Sequence, residues 1–203
     1  EPGPLGVVSQ SGNLATSIIE LANPLYLGFS RIISSGNEAD LQTLDFLEYL
    51  AEDPQTEVIL SYLEGIKDGE RFIRTAKKVS SQKPLVMVKA GRTEAGVKAA
   101  FSHTGALTGS DNLFDGLCQQ AGIIRANTLE EMVDIAAALL TQPLPRGKRV
   151  GILTLGGGWG VLAADYCAQA GLILPHLSKE MVRTLDKVLP PWWNRINPVG
   201  MVA

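Results

Sequence analysis

Leu5-Gly6-Val7-Val8-Ser9-Gln10-Ser11-Gly12-Asn13-Leu14-Ala15-Thr16-Ser17-Ile18-Ile19-Glu20-Leu21 holds one strand–turn–helix unit, and its reading decides the fold. The apolar run ending at Ser9 fits a strand buried on both faces. Behind the turn 10–13, Leu14, Ile18, Ile19 and Leu21 fall at helical spacing. The same alternation recurs downstream. Residues 29–33 suit a strand and 41–51 a helix capped by Asp40; 58–63 are a strand and 69–79 a helix; 85–88 are a strand after Pro84. A helix is predicted over 110–120, a short strand at 123–124, and a helix over 128–140 with Thr128 as N-cap and Glu131 completing a capping box. Strands alternating with helices imply an α/β protein with a doubly wound parallel sheet, and five strands fit a flavodoxin-like layout.

Gln142-Pro143-Leu144-Pro145-Arg146-Gly147 has the composition of a linker, and the alternation restarts behind it. The expected division is a flavodoxin-like domain over 1–142, a linker over 143–148, and a second, smaller or truncated α/β unit over 149–203. That unit opens with a strand over 150–155, turns through Gly156-Gly157-Gly158-Trp159-Gly160 into a helix reaching Ala170, and continues with a strand over 172–174 and a helix capped by Ser178. Two βα units are too few to close a stable sheet by themselves. The openings at 7–13 and 152–161 share one plan.

The chain is 45% hydrophobic over 203 residues, enough for packed cores in one large or two modest domains. Its net charge of −3, without a basic cluster, argues against nucleic acid or a membrane surface as partner. No apolar run is long enough to span a bilayer and the N-terminus lacks a signal-peptide layout, so a cytoplasmic protein is expected. Cys118 and Cys167 lie in predicted helix interiors without metal-ligand spacing, which predicts two buried thiols. The start at Glu1 and the stop shortly after Asn197-Pro198 predict a fragment of a longer chain.

Chemistry concentrates at four places. In Phe101-Ser102-His103-Thr104-Gly105-Ala106-Leu107-Thr108-Gly109 a lone imidazole stands among small residues, as a reactive group presented on a loop does. The loop is predicted to run from Ala90 to Gly109, and at about 3.3 Å per extended residue its tip could travel roughly 30 Å, so that His103 would serve two sites. Ser11, Gly12 and Asn13 stand where a parallel strand hands over to a helix, so free N–H groups and side-chain donors converge on an anion. Gly157 and Gly158 invite the same approach, in a pattern that is neither a Walker A loop nor a dinucleotide fingerprint. Glu64, at the end of the third strand, could hold one nitrogen of His103 and leave the other free to attack phosphorus. A tight turn needing positive φ is the bland account of the glycines, and a solvated acid that of Glu64. Lys89, Arg92 and Lys98, on or beside the loop, could each partner a phosphate, with a solvated surface position as the bland account; His176 is read as structural, and Trp192-Trp193 as packing on an absent domain or sealing the second unit.

These residues resemble a known family, the NDP-forming (ADP-forming) acyl-CoA synthetases related to succinyl-CoA synthetase. The likeness covers Ser9-Gln10-Ser11-Gly12, the run 35–40, the run 53–57, Tyr62-Leu63-Glu64-Gly65, the run 102–106, the run 156–161 and Asn197-Pro198-Val199. The resemblance implies a phosphohistidine at His103, held by Glu64, cradled by helix starts at Ser11-Gly12-Asn13 and Gly157-Gly158, and relaying phosphate from acyl phosphate to ADP. It also implies a CoA-binding Rossmann domain and an ATP-grasp domain as partners, fused or as a separate subunit, in an oligomer. CoA, ADP or ATP and Mg²⁺ would be used by the full enzyme, and phosphate alone within this fragment, which by itself would be inactive. Gly200 departs from the acid the family often has after Asn-Pro-Val. Two other readings stand beside this one: a non-catalytic acyl-CoA or nucleotide sensor fused to an acetyltransferase, and a flavin-binding electron carrier.

Overall fold

The computed structural model describes residues 1–104 and 110–201, with the backbone alone at 100–104. The chain divides into two compact units, Glu1–Pro143 and Leu144–Ala203. In the first, strands β1 (Pro2–Ser9), β2 (Phe29–Ser34), β3 (Val58–Leu63), β4 (Leu85–Lys89) and β5 (Ile124–Arg125) form a parallel sheet in the order β2-β1-β3-β4-β5. Helices α1 (Gly12–Ala22), α2 (Thr43–Glu52), α3 (Gly69–Ser80), α4 (Glu94–Thr104), α5 (Asp111–Ala121) and α6 (Leu129–Thr141) connect them. This is the doubly wound, flavodoxin-like order expected from the sequence.

Strand pleat explains the two cores. Successive residues point to opposite faces, so Val7, Leu60 and Val86 pack with Ile18 of α1 and Met132 and Ala136 of α6. Their neighbours Val8, Ile59 and Met87 pack with Leu47 and Leu50 of α2, Phe72 of α3, and Phe114 and Cys118 of α5. Every residue of β3 is buried, as a central parallel strand covered on both faces requires. Each fully buried Leu, Ile or Phe contributes about 1.5–3 kcal/mol relative to exposure, so these two layers hold the sheet edge in place.

The structure moves several predicted boundaries. Helix α2 begins two residues late, at Thr43, because Asp45 reaches back to the Gln42 N–H (2.8 Å); Gln42, not Asp40, is its N-cap. The predicted loop 90–109 contains α4: Thr93 accepts the Gly96 N–H at 3.1 Å, a helix cap hidden in a glycine-containing stretch. Thr128 caps α6 as expected, through the Glu131 N–H (3.1 Å), but the Glu131 carboxylate returns to Asn127 N–H (2.6 Å) instead of Thr128. The fifth strand is shifted by one residue and includes Arg125.

The second unit contains β6 (Leu153–Thr154), α7 (Gly157–Gln169), α8 (Lys179–Leu185) and β7 (Val199–Gly200). The predicted strand 150–155 pairs only at Leu153 and Thr154, parallel to the unpredicted β7, and 172–174 contributes a single bridge, Arg149–Ile173. A ladder extends only as far as a neighbour runs beside it. Asn197 stitches this unit: Nδ2 donates to the carbonyls of Val150 (2.8 Å) and Pro175 (3.3 Å), and Oδ1 accepts from Ile152 N–H (3.0 Å). Trp193 is buried with Nε1 donating to Asp186 (2.8 Å), whereas Trp192 is exposed, so the pair splits its roles. Cys118 is buried, but Cys167 is half-buried, because the helix α7 that carries it is mostly exposed. Among the described residues no helix is long and apolar enough to cross a membrane.

Candidate functional site

In a sheet ordered 2-1-3-4-5 the chain reverses direction across the sheet between β1 and β3, and a crevice opens outside the carboxyl ends of those two strands. Ser9 at the end of β1 is in register with Tyr62 of β3, and Leu63 with Lys89 of β4. The residues that follow, Ser11-Gly12-Asn13 after β1 and Glu64-Gly65 after β3, therefore flank that crevice. The structure thus brings Ser11, Gly12, Asn13 and Glu64 to one edge of one unit.

The start of α1 is built by hydroxyls. Ser9 Oγ is buried, accepts from the Ser11 N–H (3.1 Å) and donates to the Ser11 carbonyl (2.6 Å); Ser11 Oγ caps the helix by accepting from Leu14 N–H (3.4 Å). Gly12 and Asn13, the first two helical residues, are exposed. The second unit repeats the device. Thr154 Oγ1 accepts from the Gly156 N–H (3.2 Å) and donates to the Gly156 carbonyl (3.1 Å), and α7 starts with the exposed Gly157 and Gly158. In both, the last strand residue brackets the cap residue two positions on, and a glycine follows.

Electrostatics separate these two starts from the rest. Helices α2 to α6 and α8 each carry an acid in the first turn, where the helix dipole favours one; α1 and α7 carry none. The glycines of α7 also divide by cause. A Cβ on Gly160 would meet Thr154 Cγ2 at 3.1 Å and Pro198 Cβ at 3.3 Å, and one on Gly156 the exposed Trp159 ring at 3.1 Å, so both are closely approached and Gly160 is the more tightly packed. A Cβ on Gly157 or Gly158 would meet nothing within 4 Å, and none of these four has positive φ. The tight-turn account therefore does not explain Gly157 and Gly158.

Glu64 is buried at 7% exposure despite its charge, not solvated as the bland account holds. Burial, with the Glu64 charge added, pushes the hydroxyl of Tyr62 up to about 12, so Tyr62 stays a neutral phenol beside the carboxylate. His103 belongs to the backbone of α4; its side chain, and residues 105–109, lie outside the described residues.

Two groupings at this edge have no role in the sequence reading. One is the pair Gln10 and Glu38. The other is a cationic knot: Lys89, expected at the surface, is buried at 3% over the Phe114 ring (5.7 Å), and its ammonium is pushed down in pKa by burial and by Arg125. Arg125 lies on the same ring (5.1 Å) and pairs with Asp111 and Asp115, and Arg92 joins Asp111 at 3.5 Å. Burial raises the Asp111 carboxyl, but Arg125 and then Arg92 outweigh it and hold the group below the usual carboxylate range. An Arg inside a short apolar strand, with two aspartates on the preceding helix at 111 and 115, was the available signal.

The chain is similar to known proteins over nearly its whole length. Residues 2–139 match the family described as succinyl-CoA ligase like flavodoxin domain. An ADP-forming acetate–CoA ligase of Methanocaldococcus jannaschii is 44% identical over 201 residues, 99% of this chain and 28% of that protein. The alpha subunit of ADP-forming acetate–CoA ligase II of Pyrococcus furiosus is 46% identical over 99% of this chain and 44% of that protein. A solved dinucleotide-forming acetyl-coenzyme A synthetase 1 of Ca. Korarchaeum cryptofilum, in complex with phosphate and ADP, superposes with a TM-score of 0.92 at 38% identity, covering 99% of this chain and 44% of that one. The chain thus spans less than half the length of the relatives it matches. With the family match covering residues 2–139, the chain belongs to the succinyl-CoA ligase like flavodoxin domain family.

Proposed function

We propose that this chain is the phosphohistidine-bearing part of an ADP-forming acyl-CoA synthetase. Acyl-CoA and phosphate give acyl phosphate and CoA. An imidazole nitrogen of His103 then attacks the phosphorus of the acyl phosphate and releases the carboxylate. The phosphohistidine finally passes its phosphoryl group to ADP, giving ATP and free histidine. Glu64 accepts the N–H of the second ring nitrogen, which fixes the tautomer and stabilises the charge that grows on the ring during attack. Ser11, Gly12 and Asn13, and likewise Gly157 and Gly158, offer helix-start N–H groups to the phosphoryl group of the phosphohistidine; each backbone N–H to a phosphoryl oxygen contributes about 1.5–3 kcal/mol.

The observation that carries this reading is the repeated opening: among the α-helices of the described residues, α1 and α7 lack the first-turn acid that the others carry, and both follow the same hydroxyl bracket with a glycine. An anion supplied from outside completes both. The relatives' names, as ADP-forming ligases, favour catalysis over the sensor reading. CoA binding and the nucleotide site fall to a Rossmann domain and an ATP-grasp domain outside this chain, and the chain alone turns over no substrate. Among the described residues no three His, Cys, Asp or Glu side chains gather to hold a metal ion.

The test uses the complete enzyme with labelled ATP and Mg²⁺. Acid-labile label is expected on His103 and is lost in His103→Asn; a variant that labels like the parent overturns the assignment.

A further inference from the structure

Gln10 stands between the strand residue Ser9 and the cap Ser11, yet its side chain takes no part in the helix start. Its Oε1 accepts from the backbone N–H of Glu64 (2.5 Å) and of Gly65 (3.1 Å). Its Nε2 donates to the Gly65 carbonyl (3.1 Å) and to Glu38 Oε1 (2.9 Å). Both lone-pair directions and both N–H bonds of the carboxamide are used. Because a carboxylate only accepts and a backbone N–H only donates, the network admits one orientation of the amide.

Glu38 is the anchor. It is buried at 8% exposure with φ of 55°, a left-handed backbone that non-glycine residues rarely adopt. Oε1 also accepts from Thr43 N–H (2.8 Å), Thr43 Oγ1 (2.6 Å) and Ser35 Oγ (3.4 Å). Lys67 Nζ binds the carbonyls of Asn37 (3.1 Å) and Glu38 (2.8 Å) and so holds the turn from the far side. A buried carboxylate on a strained backbone persists only where its surroundings over-determine it, and such arrangements gather at functional sites. Here the determination runs from Glu38 through Gln10 to the backbone of Glu64, a residue just past a strand end that has left the sheet ladder.

Resting on the reading that Glu64 serves the histidine, we propose that Gln10 and Glu38 are positioning residues: the Glu38 carboxylate locks the Gln10 carboxamide, which clamps the Glu64-Gly65 backbone and thereby sets where the Glu64 carboxylate is presented. A misplacement of about 1 Å costs on the order of 100-fold in such chemistry, so the clamp has a measurable consequence.

The test measures single-turnover phosphorylation of the complete enzyme by labelled ATP and Mg²⁺ in Gln10→Met, Glu38→Gln, Glu64→Gln and the double variant Gln10→Met/Glu64→Gln. Gln10→Met is expected to slow labelling about tenfold or more, and Glu38→Gln, which keeps the acceptor oxygen, to stay within about threefold. In the Glu64→Gln background the Gln10 effect should shrink below about threefold, because the clamp then positions an impaired group. A merely structural Gln10 would slow both backgrounds equally, and that result overturns the proposal. A Glu64→Gln enzyme with the parent's rate instead removes Glu64 from the mechanism, and the positioning role with it. Should Gln10→Met fail to fold, hydrogen exchange of the parent decides: slow exchange of the Glu64 and Gly65 amides is expected, and exchange at the rate of open loop amides overturns the clamp.

Discussion

Gly157 and Gly160 lie three residues apart in the same helix, and the structure gives them opposite reasons to be glycine. Gly160 sits against Thr154 and Pro198, where a Cβ would press at 3.1 and 3.3 Å; Gly157 faces open space. Gly160→Ala should therefore destabilise by about 1–3 kcal/mol, as overpacking does, without a specific effect on phosphoryl transfer beyond that loss. Gly157→Ala should leave urea-unfolding stability within about 1 kcal/mol of the parent, since alanine suits a helix, while lowering the phosphorylation rate of the complete enzyme about tenfold by filling the space an oxygen must enter. A Gly157→Ala enzyme that phosphorylates normally would remove Gly157 from the phosphate cradle. At this scale the sequence displayed the glycines but not their causes. Four glycines in five positions look alike, and only neighbours distant in the chain, such as Pro198, separate the packed from the open.

At the scale of elements, the segment bearing His103 leaves β4 and returns to α5, and its two ends are tied to the Arg125 knot: Arg92 reaches Asp111 at 3.5 Å and the Asn127 side chain at 2.6 Å. The Arg125 side chain is 9% exposed and that of Asp111 22%. Asp111→Asn should cost about 2 kcal/mol, below the 3–5 kcal/mol of a fully buried pair because Asp111 keeps contact with water. The pH dependence carries the sign. Asp111 has a lowered pKa in the folded protein, so its contribution is complete above the unfolded carboxyl value of about 4 and disappears as pH falls through the lower folded value. Urea unfolding of parent and variant should thus differ at pH 7 and converge at acid pH, and a gap that persists unchanged in acid would contradict the ion-pair account. Helix α4 itself was hard to read because Gly96 breaks the usual cap signature at the third helical position. Arg125 was hard to read because a cation in a short strand is interpretable only once its partners on α5 are known.

For the whole molecule, the two units differ sharply in what they bury. Glu1–Pro143 carries both hydrophobic layers, whereas among the described residues of Leu144–Ala203 the buried hydrophobic side chains are Trp193 and Val199, and Leu155, Trp159, Val161 and Tyr166 are exposed. A chain of some 60 residues with so little core falls below what usually sustains independent folding. Residues 1–143 made alone should unfold cooperatively in urea, and residues 144–203 alone should show no sharp transition by circular dichroism; a cooperative second unit would overturn this estimate of its core. By sequence alone the protein was determined to be a parallel, doubly wound α/β chain, with strand–helix handovers at Ser9–Asn13 and Leu155–Gly160 and a carboxylate after β3. Those properties follow from local periodicity, caps and turn chemistry, which act over a few residues. The tertiary structure alone decided that Gln10 ties Glu38 to Glu64, and that Lys89 and Arg125 share one aromatic ring. Such pairings join residues tens of positions apart, and burial, which sets their strength and their charge state, exists only after the layers have closed.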